Sequence, residues 1–186
     1  MTDAPATLRR ALGAAATIDA GHLTVTDAAL LATPLMDSVA RLAVFGDDAE
    51  KAWARWAIWE AGRSVGTYSA SIHDFYMARG RGEVPPVTVP AINVRGASYD
   101  TARAIFRTGI KCDGGAFILE IARSEIAYTD QRPSEYVAVM LAAALREGHR
   151  GPVFIQGDHF QINAKKYKVD PGPEVAAVKQ LALEAV

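Results

Sequence analysis

Asp158 and His159 are the adjacent pair whose side chains could do chemistry together, because they stand where an apolar run ends: Gly151-Pro152-Val153-Phe154-Ile155-Gln156-Gly157. Val153 to Ile155 reads as a short parallel strand buried on both faces. A carboxylate within reach of a substrate hydroxyl can take its proton and return it, and a neutral imidazole is the commonest protein ligand of a divalent metal. In α/β proteins, sites form at the carboxyl ends of strands, and Gly157 leaves room there for a ligand to approach the backbone. The plainer alternative is that Asp after Gly is a turn residue and that the His is hydrogen-bonded structure.

The other histidines do not complete a cluster. His149 precedes the same strand and so belongs to the opposite edge of a sheet, while His22 and His73 lie in an N-terminal segment. His73 and Asp74 are neighbours on a helix, where adjacent side chains diverge by roughly 100°. Lys165 and Lys166 read as solvated surface. Cys112 is the only cysteine, which excludes an intrachain disulfide and suits a reducing cytoplasm.

Two kinds of element must position these residues. Residues 1–85 read as a helical N-terminal extension, Ala-rich and broken by Gly13, Gly21, Pro34 and Gly46, with Thr26 and Asp37 as helix caps. Its clearest helix spans Asp47 to Ser64, where Trp53, Trp56 and Trp59 recur every three residues as a packing surface. A further helix is expected over Ser69 to Arg79, and Pro85-Pro86 closes the segment.

From residue 86 the pattern becomes strand, loop, helix. Val87 to Val94 is a strand weakened by Pro90, followed by a helix over Ser98 to Lys111. Ala116 to Ile121 is a second strand, Arg123 to Arg132 a long polar loop, and Pro133 to Glu147 an amphipathic helix. A third strand, Val153 to Gln156, leads to Asp158, a lysine-bearing loop and a last helix from about Pro173 to Ala185. Three βα units in series predict an α/β fold with a parallel sheet. Their spacing, about 33 residues per unit, is that of a TIM-type (β/α)8 barrel, which needs about 250 residues. The expectation is therefore a partial barrel, apparently incomplete, completed by a longer chain or by oligomerisation.

Val89-Pro90-Ala91-Ile92-Asn93-Val94, the loop after Glu120, and Gly151 to His159 resemble the first three units of the class II, metal-dependent ketose-bisphosphate aldolases over residues 87–170. The resemblance implies that Asp158 is the catalytic acid/base, that His159 is a ligand of zinc, and that Asn93 lies near the substrate. Where the family has a Ser-Asn-Gly type loop that helps to hold substrate, this chain has Glu120-Ile121-Ala122-Arg123-Ser124-Glu125. Glu120 and Ser124 are accordingly candidate substrate-binding residues. That loop is closer to the non-catalytic accessory subunit of tagatose-bisphosphate aldolases. Three functions stay open: a zinc-dependent aldolase cleaving a fructose-1,6-bisphosphate-like ketose, an accessory subunit, and a metal-free phosphosugar-binding barrel. With one imidazole at the site, the chain alone is expected to be inactive, its further metal ligands coming from outside it.

Composition narrows the partners. With 20 basic and 21 acidic residues among 186 and a net charge of -1, no positive excess suggests nucleic acid or an anionic membrane. No apolar run approaches the roughly 18 residues of a membrane span. The expected partner is a phosphorylated sugar, in a cytoplasmic homo-oligomer.

Overall fold

The computed structural model describes residues 3–186. It is a mixed α/β fold around a parallel four-stranded sheet. The chain opens with α1 (Ala6–Leu12) and an antiparallel hairpin of β1 (Ala16–Asp19) and β2 (His22–Val25). Ala20 and Gly21 both take positive φ, which is the two-residue turn whose twist matches paired strands. The segment read as wholly helical therefore contains a hairpin, with Gly21 serving the turn rather than breaking a helix.

A 3-10 turn (Leu30–Ala32) leads to α2 (Leu35–Phe45), then α3 (Asp48–Ser64). Helix α3 starts at Asp47, whose carboxylate accepts the Glu50 N–H at 2.8 Å while Glu50 accepts the Asp47 N–H at 3.0 Å. That reciprocal pair satisfies two donors that a helix start otherwise leaves orphaned. Trp53 is 7% exposed and meets Trp56 edge-on, whereas Trp59 is 43% exposed beneath Arg63. A repeat of three on a helix of 3.6 residues per turn slips by roughly 60° each time, so the stripe turns from core to solvent instead of packing throughout.

Next come β3 (Thr67–Ala70) and α4 (His73–Gly80). The expected helix over Ser69 to Arg79 is thus split, because Thr67 to Ala70 pair in parallel with Gly151 to Phe154. The remaining elements are β4 (Ala91–Asn93), α5 (Ser98–Lys111), β5 (Ile118–Ala122), α6 (Arg123–Thr129), α7 (Pro133–Arg146), β6 (Gly151–Asp158), α8 (Ala164–Val169) and α9 (Pro171–Ala185). Helices α6 and α8 replace two stretches read as loops; Asn163 caps α8 by accepting from the Lys165 and Lys166 N–H groups. Pro90 confines β4 to three residues, although its carbonyl still accepts the Ile118 N–H.

Strand order is β3-β6-β5-β4. The three units expected from Val87 onward are present with neighbouring strands consecutive. The fourth, β3, comes from the N-terminal segment and occupies the edge of β6 on which a following barrel strand would pair. Nor are residues 1–85 and 86–186 separately cored. One apolar cluster runs from Ala4 to Leu181, and α7 lies at its centre with Tyr136 and every residue from Ala138 to Leu145 buried. Its alanines let α2, α3 and α5 approach closely.

Ion pairs bind this helical layer. Asp37 does not cap α2; it accepts from Tyr99 Oη at 2.8 Å and Arg146 Nε at 3.0 Å. Glu147 receives Arg107 and Arg103, at 2.9 and 2.7 Å. Hydrogen bonds from Arg107 and Arg103 outweigh burial and hold its carboxyl at about 2. A depressed carboxyl stabilises the fold above its unfolded pKa, near 4.3, and loses that contribution as pH falls toward 2. Glu147→Gln is therefore expected to cost roughly 1–2 kcal/mol at pH 7, discounted because Arg107 is exposed, and almost nothing near pH 2. Denaturant titrations of both proteins across that range check this.

Candidate functional site at the carboxyl edge of the sheet

Register brings the polar residues together. Asn93 stands opposite Glu120 and Glu120 opposite Gln156, so one row across β4, β5 and β6 carries three polar side chains on one face. Asp158 is two residues beyond Gln156 on that face, opposite Ala122. The other face of the same strands presents Ile92, Leu119, Ile121, Val153 and Ile155 to the core. Strand direction places the amide and carboxylates toward the strands' carboxyl ends and His149 at the amino ends. There the His149 ring lies tilted against Phe106, 5.1 Å between centroids, and burial lowers its pKa.

Asn93 joins the group. Its Nδ2 donates to Asp158 Oδ2 at 3.0 Å and to Glu125 Oε2 at 3.1 Å. His159 Nε2 lies 3.2 Å from Asp158 Oδ1. The Asp158 side chain is 22% exposed and reachable from solvent. Glu120 is drawn aside, accepting from Gln156 Nε2 at 2.8 Å. Ser124 is exposed on α6 and makes no hydrogen bond with the group; the next residue, Glu125, turns inward in its place. Glu125 accepts from the Ala122 N–H at 2.9 Å and pairs with Arg95. Burial pushes its carboxyl up, but the bonds from Ala122, Asn93 and Arg95 prevail and hold it below the usual range.

Gln156, Glu125 and Arg95 were not among the candidates read from the sequence. Gln156 had a usable signal, since the two-residue period of a strand puts it on the face of Asp158. Glu125 and Arg95 had none, because their pairing spans 30 residues.

Behind the site, the segment after β6 is tied down. Arg123 donates to the Gln161 carbonyl and, at 2.5 Å, to Glu174, which also accepts the Asn163 N–H. Gly157 does not open the backbone to a ligand: a Cβ there would sit 2.6 Å from Phe160 Cζ, so the Phe160 ring occupies that space. His159 has φ 46°, in the left-handed region that non-glycine residues enter at a cost of about 1 kcal/mol. Such strain gathers where a side chain must be aimed. His159→Gly is expected to raise stability by about 1 kcal/mol while removing the imidazole, a combination that thermal unfolding would register. A destabilised variant would show that the proximity of the imidazole to Asp158 outweighs the strain.

Among the described residues, no three His, Cys, Asp or Glu side chains converge as metal ligands. His159 Nε2 already faces Asp158, and the His159 side chain is 69% exposed. Among the described residues, too, no helix is long and apolar enough to cross a membrane. Compared with protein families, characterised proteins and solved structures, the chain matches none.

Proposed function

We propose that the chain forms the proton-transfer part of an aldolase-type site for a phosphorylated ketose, with Asp158 as its acid/base. The observation that carries this is the setting of Asp158, a reachable carboxylate at the carboxyl edge held between the Asn93 amide and the His159 imidazole. In retro-aldol cleavage the substrate hydroxyl gives up its proton, its electrons form the aldehyde carbonyl, and the adjacent carbon–carbon bond breaks. The electron pair of that bond is left on the ketose fragment as an enediolate. Asp158 accepts the hydroxyl proton and returns it in condensation.

In this reading β4, β5 and β6 share the order of three consecutive (β/α)8-barrel strands, with β3 standing where a fourth would pair, and the residue match is that of Asn93, Asp158 and His159 with the class II aldolases. Zinc would act there as Lewis acid on the enediolate, yet one imidazole and one carboxylate fall short of about three ligands. A second reading, supported by the likeness of the Glu120 to Glu125 loop to the accessory subunit of tagatose-bisphosphate aldolases, is an accessory or phosphosugar-binding role in which the edge binds and does not turn over.

Calorimetric titration with zinc and an assay of triose phosphate release from fructose 1,6-bisphosphate test this. The expected result is no stoichiometric zinc binding and no release by the chain alone. Tight zinc binding with release abolished by Asp158→Ala would replace the half-site with a complete enzyme.

A further inference from the structure

We propose that Glu125 is a positioning residue that sets which way round the Asn93 amide faces, so that Asn93 donates to Asp158 and keeps its carbonyl oxygen for a substrate hydroxyl. This rests on the aldolase-type reading of the edge. A carboxamide has two donors on one end and an acceptor on the other, in nearly the same shape, so its neighbours decide its orientation. Here the two N–H groups of Asn93 meet two acceptor-only oxygens, Glu125 Oε2 at 3.1 Å and Asp158 Oδ2 at 3.0 Å. The half-turned amide would set its oxygen against both carboxylates.

Asp158 alone could not enforce this as well, being partly exposed and shared with His159. Glu125 is 5% exposed, anchored by the Ala122 N–H and neutralised by Arg95, and it makes no hydrogen bond to Asp158 itself. It reaches the acid/base through the amide. No group among the described residues donates to Asn93 Oδ1, which leaves that acceptor for a ligand hydroxyl.

Glu125→Gln keeps size and shape but can offer an N–H to Asn93, permitting the half-turn. The variant is expected to move the Asn93 side-chain amide signals in 1H–15N spectra and to weaken fructose 1,6-bisphosphate binding about five- to tenfold. Asn93→Ala should weaken binding as much, and the double variant no more than Asn93→Ala alone. Additive losses, or Asn93 signals and affinity unchanged in Glu125→Gln, would overturn the proposal. Should the wild type not bind the sugar bisphosphate, the proposed function falls, and the Asn93 signals alone decide: moved supports positioning, unmoved overturns it. Should Glu125→Gln not fold, the wild type decides by hydrogen exchange. Asn93 side-chain protons slower than those of exposed Asn163 support the proposal, and equally fast exchange overturns it.

Discussion

Gly62→Ala is expected to destabilise the protein by about 2 kcal/mol, lowering its melting temperature by roughly 4–8 °C. Gly62 is buried near the end of α3, and a Cβ there would lie 2.6 Å from the Thr67 carbonyl oxygen. The clash is with backbone, which cannot rotate aside, so the overpacking term should reach about 3 kcal/mol. Better helix propensity returns about 1 kcal/mol of that. The loss should also be local. Thr67 begins β3, and its hydroxyl donates to the His149 carbonyl at 2.7 Å, so pushing Thr67 outward loosens the edge of the sheet beside β6. Hydrogen exchange should quicken first at Gly151, whose N–H donates to the Gly66 carbonyl. A variant as stable as the wild type would contradict the close approach of α3 to β3 and with it the four-stranded order.

That strand shows where sequence reading stops. Helices α3, α5 and α7 and the cores of β5 and β6 were legible because each carries its own period. Strand β3 has four residues, and only pairing with Gly151 to Phe154, more than 80 positions away, makes them a strand. Locally, Ser69 to Arg79 reads as one helix. The β1–β2 hairpin was hidden for a related reason, since Ala20 rather than Asn or Asp takes the first left-handed turn position.

The site divides in the same way. Strand polarity and the two-residue period suffice to put Asn93, Glu120 and Asp158 at one edge and His149 at the other. They do not tell which carboxylate the amide chooses. Asn93 passes over its register neighbour Glu120, which accepts from Gln156, and donates to Glu125 and Asp158. Ser124 and Glu125 look equally available in sequence, but α6 begins at Arg123, and helical rotation turns one outward and the other in.

Asp158→Ala is expected to weaken binding of fructose 1,6-bisphosphate about 10- to 100-fold while the protein stays folded. A ligand hydroxyl bonded to a carboxylate contributes about 1.5–3 kcal/mol, more than a neutral pair, and alanine leaves the Asn93 amide without one of its two acceptors. The residue lies at the end of β6 and belongs to no apolar contact of the core, so the circular dichroism spectrum should be unchanged. Equal affinity in the two proteins would remove Asp158 from the site.

Mapping where the ligand sits is the most direct test of the carboxyl edge as a phosphorylated-ketose site. In 1H–15N spectra recorded as fructose 1,6-bisphosphate is added, the signals expected to shift together are those of Asn93, Ala122, Glu125, Asp158 and His159. His149 and its neighbours at the amino ends should stay in place. Shifts centred on His149, on the depression of about 740 Å³ beside Arg41 and Tyr99, or nowhere on the protein would contradict the account.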